Sequence, residues 1–216
     1  MEYDAWFCMI TGEKPAQFSS GFTAANPNGK IPVLMDHSEG ATGAGSDPIR
    51  VFESAHILLY LAEKHDPHGR FLPSDPRIRT ECLNWLFWQA ASAPYIGGGF
   101  GHFYNYAPAN YQYAIDRFAM ETKRQLDVLD RQLEGKQWVC GGDEPTIADF
   151  AIFPWVRCCD VFYGAKTFLQ LDSSYANVSK WCERLEARPG VKRGLRVNGV
   201  GDDAVRERHS SADFDD

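Results

Sequence analysis

No apolar run in this chain approaches the ~18–20 residues that a membrane span needs, so no membrane partner is expected. Positive charge is in short supply: 22 Lys and Arg stand against 29 Asp and Glu, a formal net charge of −7. A nucleic-acid binder needs a basic footprint to displace counterions, so nucleic acid is not expected as a partner either. The opening Met1-Glu2-Tyr3-Asp4 is acidic and lacks the start of a signal peptide. No Cys-x-x-Cys occurs, which excludes a thioredoxin-type dithiol. The six cysteines (Cys8, Cys82, Cys140, Cys158, Cys159 and Cys182) read as reduced thiols of a reducing compartment, and the expected location is cytoplasmic. Cys158-Cys159 is vicinal; adjacent helical residues point about 100° apart, so the pair reads as ordinary buried sulfur. No metal is expected: His65-Asp66-Pro67-His68, followed by Gly69, reads as a helix-ending turn with no further ligand cluster beside it.

What is present is the mix of a globular protein, 216 residues with 44% hydrophobic and 24% charged, enough for one large domain or two modest ones. Two textures divide the chain. Residues 1–72 are short and mixed. Residues 3–10 predict a strand, residues 17–25 one short helix, and residues 32–35 and 49–52 a strand pair joined by a flexible hairpin loop at residues 39–47. Residues 54–64 repeat apolar side chains at helical spacing. Residues 73–76 (PSDP) form the linker. Residues 77–200 are helical, with helices predicted over 77–91, 109–133, 146–163 and 175–187, and residues 201–216 form a polar tail, loose or draped over the surface.

Four motifs carry chemistry or its absence. Pro145-Thr146-Ile147-Ala148-Asp149-Phe150 is a capping box, with Pro145 and Phe150 at staple positions; Asp149 is a folding device rather than a catalytic acid. Asn26-Pro27-Asn28-Gly29-Lys30-Ile31-Pro32 enters a strand through a proline. A trans Ile31-Pro32 bond makes this a plain loop; a cis bond, found in about 5–6% of X-Pro pairs, turns the Ile31 backbone outward as an edge that pairs with a peptide ligand. Phe52-Glu53-Ser54 lies where a strand becomes a helix. Ser54 there is either a helix cap or, with the backbone N–H groups and the helix dipole, a carboxylate site beside a Glu53 that takes an ammonium. Gly97-Gly98-Gly99-Phe100-Gly101 is no phosphate cradle, since no Gly-Lys-Ser/Thr follows, and is expected to break a helix. For the aromatic run after it, pocket lining and core packing are equal readings; Phe100, Phe103, Tyr104 and Tyr106 are the substrate-pocket candidates.

In this order the motifs resemble the cytosolic glutathione transferase family, and within it the nu class of bacterial glutathione-dependent disulfide-bond reductases. The resemblance runs over residues 1–198. It rests on Gln17-Phe18-Ser19-Ser20-Gly21-Phe22, residues 26–32, Phe52-Glu53-Ser54, Asn84-Trp85-Leu86-Phe87-Trp88, residues 97–108, residues 113–118 and Arg188-Pro189. It implies an α+β, thioredoxin-like glutathione-binding domain over 1–72, an all-α helical bundle after it, a homodimer, and glutathione as co-substrate. By resemblance, Gln17 and Lys30 contact glutathione and Ile31, ahead of cis-Pro32, pairs with its cysteinyl part. Glu53 and Ser54 grip the γ-glutamyl head, and Arg117 meets glutathione near the dimer interface. Two glutathiones, or one oxidised glutathione, sit in each site of this class.

The family fold opens with a strand and helix ahead of the strand matched by residues 3–10, and the turn between them carries the Thr-Pro-Asn that stabilises the glutathione thiolate. A βαβ unit takes about 30 residues or more, and two residues precede the first predicted strand here. The expectation is therefore a thioredoxin-like domain truncated at its start, with no catalytic residue assigned and disulfide reduction weakened. The function read from the resemblance is an enzyme that reduces disulfides, or conjugates a small electrophile, through bound glutathione thiolate. The alternative is a catalytically impaired binding or scaffold protein of the same fold.

Overall fold

The computed structural model describes residues 3–38 and 47–199 and the backbone of 208–209. They divide into two compact units, one made of the chain up to Leu61 together with the chain from Ala187 onward, the other of Ala62–Glu186. The long helix α2 (Ser54–His65) begins in the first and ends in the second.

In the first unit, strand β1 covers only Tyr3–Asp4 and pairs antiparallel with β4 (Arg208–His209), in register Tyr3↔His209. The predicted strand over residues 3–10 is thus cut short. β-propensity expresses packing against neighbouring strands; among the described residues β1 pairs with β4 alone, and Trp6 lies 83% exposed. The single helix expected over 17–25 is two elements, a 3₁₀ turn at Ala16–Phe18 and helix α1 (Ser20–Ala25). Ser19 separates them by accepting the Phe22 N–H at 3.3 Å, a helix-capping bond. β2 (Val33–Asp36) and β3 (Ile49–Phe52) form the expected antiparallel pair, in register Val33↔Phe52 through Asp36↔Ile49. The loop expected between them falls mostly on residues 39–46, outside the described residues. Val51 on β3 and Ala55 on α2 are buried and anchor the junction between these two elements.

The second unit is helical. Asp75 accepts the N–H groups of Arg77 and Ile78 at 3.0 Å and so caps α3 (Pro76–Pro94). Pro76 occupies the first helical position, where its missing N–H costs nothing. The glycine run does not break the chain into a turn. It continues α3 as a π-helix over Tyr95–Tyr106. A Cβ on Gly97 would lie 2.5 Å from the Trp155 ring, on Gly99 2.4 Å from Phe118 and on Gly101 2.3 Å from Tyr163. These glycines are therefore close-approach positions for rings on two neighbouring segments. Next come α4 (Gln112–Gln132), which buries Ala119, Thr122, Leu126 and Leu129 at helical spacing, and α5 (Ile147–Val161). Short α6 (Lys166–Leu169) and α7 (Leu171–Ser174) precede α8 (Ala176–Ala187); α9 (Pro189–Gly194) belongs to the first unit.

The capping box forms. Asp149 Oδ2 accepts the Thr146 N–H at 2.8 Å and its hydroxyl at 3.1 Å. Oδ1 takes the Val139 N–H at 2.9 Å and the Trp181 indole N–H at 2.8 Å, so one fully buried carboxylate ties α5 to α8 and to the preceding segment. Phe150 packs edge-on against Phe71, ring centres 5.7 Å apart.

Candidate functional site

The first unit gathers most of the residues singled out by the sequence, and Asn26 organises them. Only 1% exposed, Asn26 accepts the Asn28 N–H through Oδ1 at 3.0 Å, and its Nδ2 donates to the Lys30 carbonyl at 2.6 Å. One amide thus braces both sides of the turn that delivers Lys30 and Ile31. Gly29 completes the turn at φ +62°, and a Cβ there would meet the Gln17 carbonyl at 3.4 Å, so the turn sits on the 3₁₀ segment. Gln17 is buried. Its Nε2 donates to the Ile10 carbonyl at 3.1 Å, while its Oε1 has no donor among the described residues. A buried acceptor without a donor costs about 1–3 kcal/mol and marks a place where a ligand donor is welcome.

The Ile31-Pro32 peptide is cis. Ile31 is 47% exposed, and among the described residues nothing takes its N–H or carbonyl. Lys30 is exposed beside it. The Val33↔Phe52 register then sets Pro32 level with Glu53, so the peptide edge and the start of α2 lie at the same end of the strand pair. The helix starts at Ser54, and the capping position is Glu53, not Ser54: the Glu53 carbonyl accepts the Ile57 N–H at 2.9 Å. Glu53 has φ +71°, a left-handed conformation that costs a non-glycine residue about 1–2 kcal/mol. Such strain collects where a side chain must be aimed. Both Glu53 and Ser54 are exposed.

Gln17, Lys30, Ile31, Pro32, Glu53 and Ser54 therefore all belong to one unit. Arg117 lies in the other, exposed on α4, one turn before Glu121, whose carboxyl is lowered chiefly by Arg124 with a smaller contribution from Arg117. The substrate-pocket candidates divide. Phe100 is fully buried between Tyr104 and Phe168, rings 4.9 and 6.1 Å away, and is core rather than pocket lining: the π-helix turns it inward. Phe103 stacks on Phe118 at 5.6 Å, Tyr104 stands half-buried beside Phe100, and Tyr106 is 59% exposed at the end of the π-helix.

Residues 112–184 match the family model of the glutathione S-transferase C-terminal domain. Along 99% of its length the chain is 52% identical to the disulfide-bond oxidoreductase YghU of Escherichia coli (strain K12), spanning 72% of that protein. The chain belongs to the glutathione transferase family. Its identity to the E. coli disulfide-bond oxidoreductase YfcG is 39%, over 88% of this chain and 82% of that one, which places this glutathione transferase in the nu class. A solved YghU glutathione transferase from Streptococcus pneumoniae ATCC 700669, complexed with glutathione, superposes with a TM-score of 0.75 at 53% identity, over 86% of this chain and 68% of that one. The transferase fold accounts for the α+β, thioredoxin-like first part and the all-α second part. Sequence reading had missed two features of this transferase, the bracing role of Asn26 and the backbone of Glu53. The first was within reach, because Asn-x-Asn before glycine is an Asx-turn pattern; for the second no local signal exists.

Proposed function

We propose that this glutathione transferase reduces disulfides with glutathione, using the ligand's thiolate rather than a protein cysteine. The likeness to named disulfide-bond oxidoreductases along nearly the whole chain carries this reading. Glutathione supplies the nucleophilic thiol, and a second glutathione resolves the mixed disulfide. The chain's own residues bind and aim it. Ile31 offers an N–H and a carbonyl to an extended peptide, as an added strand does. Gln17 Oε1 accepts a ligand donor, and Lys30 adds positive charge for a carboxylate. Ser54 and the first N–H groups of α2 favour the α-carboxylate of a γ-glutamyl head, while Glu53 favours its ammonium.

The working form is a homodimer, in which α4 brings Arg117 to glutathione near the interface. The support is a set of exposed apolar side chains on α3 and α4, Phe87, Tyr113 and Met120 being 60%, 84% and 70% exposed. The thioredoxin-like domain covers residues 1–72, the linker 73–76 and the helical domain 77–200, and the site is cytoplasmic chemistry on a small disulfide or electrophile.

The test is steady-state reduction of a small-molecule disulfide with glutathione, alongside calorimetry of glutathione binding. Turnover that saturates in both substrates is expected. Tight glutathione binding with no turnover establishes the binding-protein alternative, and absence of binding removes both.

A further inference from the structure

Although the chain carries a net charge of −7, the helical unit gathers three cations along one cleft. Gly135, at φ +69°, turns the chain just past the end of α4. The segment after it carries Lys136 and Gln137 and is tied to α8 by a bond from Arg184 to the Gln137 carbonyl. On α8 the buried residues Val178, Trp181 and Leu185 form the core face, and Asn177, Lys180 and Arg184 follow one another at helical spacing beside it. Lys136, Gln137, Asn177, Lys180 and Arg184 line a cleft of about 220 Å³, and no Asp or Glu is among its lining residues.

Arg184 is held in a fixed pose. Its Nη2 donates to the Gln137 carbonyl at 2.9 Å, and its guanidinium lies over the Trp138 ring, 5.8 Å from the centroid. Its Nε–H is buried and has no acceptor among the described residues. Lys136 and Lys180 are exposed, and among the described residues no carboxylate pairs with either of them or with Arg184. Other charged groups of the same helices are paired: Arg131 on α4 meets Asp127 at 2.6 Å, and Glu186 on α8 meets Arg157 at 3.2 Å. The Asp130 carboxylate takes the N–H groups of Asn177 and Val178 at 2.9 and 3.0 Å and the Asn177 amide at 3.1 Å, so its charge serves the start of α8. Glu134 and Glu183, adjacent in sequence, do not line the cleft.

Folding alone does not explain this arrangement. A helix C-terminus favours a nearby cation, but like charges sharing one cleft repel, and a buried donor of a charged group is costly to leave unpaired. A guanidinium preset by a carbonyl and a ring is suited to an oxyanion. We propose that this cleft binds a phosphate dianion, free or as the phosphate group of a small phosphomonoester, with Arg184 as its anchor and Lys136 and Lys180 as flanking charges. A dianion offsets two of the three positive charges, and its oxygens accept from several directions at once. The site uses none of the residues assigned to glutathione, so it stands whether or not the chain reduces disulfides.

The test is calorimetry of the full chain with inorganic phosphate and, separately, with glycerol 3-phosphate. It is run at mildly alkaline pH, where phosphate is a dianion, and at constant ionic strength set with chloride, because salt screens exposed cations. One equivalent per chain is expected to bind with a Kd below about 1 mM. Arg184→Met keeps an apolar stem over Trp138 and removes the guanidinium; it is expected to weaken phosphate binding by about tenfold or more, and Lys180→Gln by about threefold or more. Arg124→Gln removes the same charge from the ion pair with Glu121 further up α4 and is expected to change nothing, as is saturation with glutathione. Tighter binding of glycerol 3-phosphate supports the site with an ester as its ligand, and equal or weaker binding supports it with the bare anion. If Arg184→Met does not fold, Lys180→Gln and Lys136→Gln decide. Absence of binding, wild-type affinity in the folded Arg184→Met or in Lys180→Gln, an equal loss in Arg124→Gln, or displacement of phosphate by glutathione overturns the proposal.

Discussion

Glu53 carries two burdens that a substitution can separate. Its backbone is left-handed, and its carboxylate is assigned to the ligand's ammonium. Glu53→Gly relieves the first and removes the second. Urea unfolding is expected to show stability unchanged or higher by up to about 1 kcal/mol, while calorimetry shows glutathione affinity lower by about tenfold or more, since a charge-assisted contact is worth about 1.5–3 kcal/mol. Glu53→Ala and Ser54→Ala are expected to lose similar affinity with little change in fold. A destabilised Glu53→Gly refutes the strain argument, and unchanged affinity moves the head group elsewhere. Asp149 is the opposite kind of residue, with all its work in the fold. It accepts from Val139, Trp181 and twice from Thr146. In Asp149→Asn an amide NH₂ faces two of these donors, and each orphaned buried donor costs about 1–3 kcal/mol. A loss of at least about 3 kcal/mol in urea unfolding is expected, and a loss under about 1 kcal/mol contradicts the hub.

Among the elements, the π-helix shows how glycine substitutes for space. Gly99 and Gly101 lie against Phe118 and Tyr163, whereas a Cβ on Gly98 meets nothing within 4 Å. Overpacking of this kind costs about 1–3 kcal/mol, and alanine in an open helical position gains up to about 1 kcal/mol over glycine. Thermal unfolding is therefore expected to fall for Gly99→Ala and Gly101→Ala and to hold or rise for Gly98→Ala. Equal melting temperatures for the three variants refute close packing as the reason for the glycine run. The same element explains a failed expectation. A run of glycines reads as a helix breaker on propensity alone, and the aromatic partners that make it a packing surface come from residues 118, 155 and 163, which no window around the run contains.

For the whole molecule, light scattering at micromolar concentration is expected to give the mass of two chains. Met120→Glu, which puts a charge into the proposed contact, is expected to weaken association by tenfold or more. A monomeric wild type removes the dimer and with it the role given to Arg117. This scale is also where sequence reading reached least far. The predicted strand over residues 3–10 survives only at Tyr3–Asp4, because pairing is a property of two segments and one segment cannot announce its partner.

What the sequence determined by itself was local. The β2–β3 pair, α2, the capping box and the long α4 follow from periodicity, turn residues and caps, whose physics acts within a few neighbours along the chain. The residues of the candidate site were legible as ordered motifs, and the family they resemble is the family to which the chain belongs. Tertiary structure decided what depends on distance between remote segments. It placed Pro32 level with Glu53 through the strand register, buried Phe100 against Phe168, and made Asn26 the brace of a turn. Each of these depends on where packing carries segments that are remote along the chain, and local spacing does not encode that.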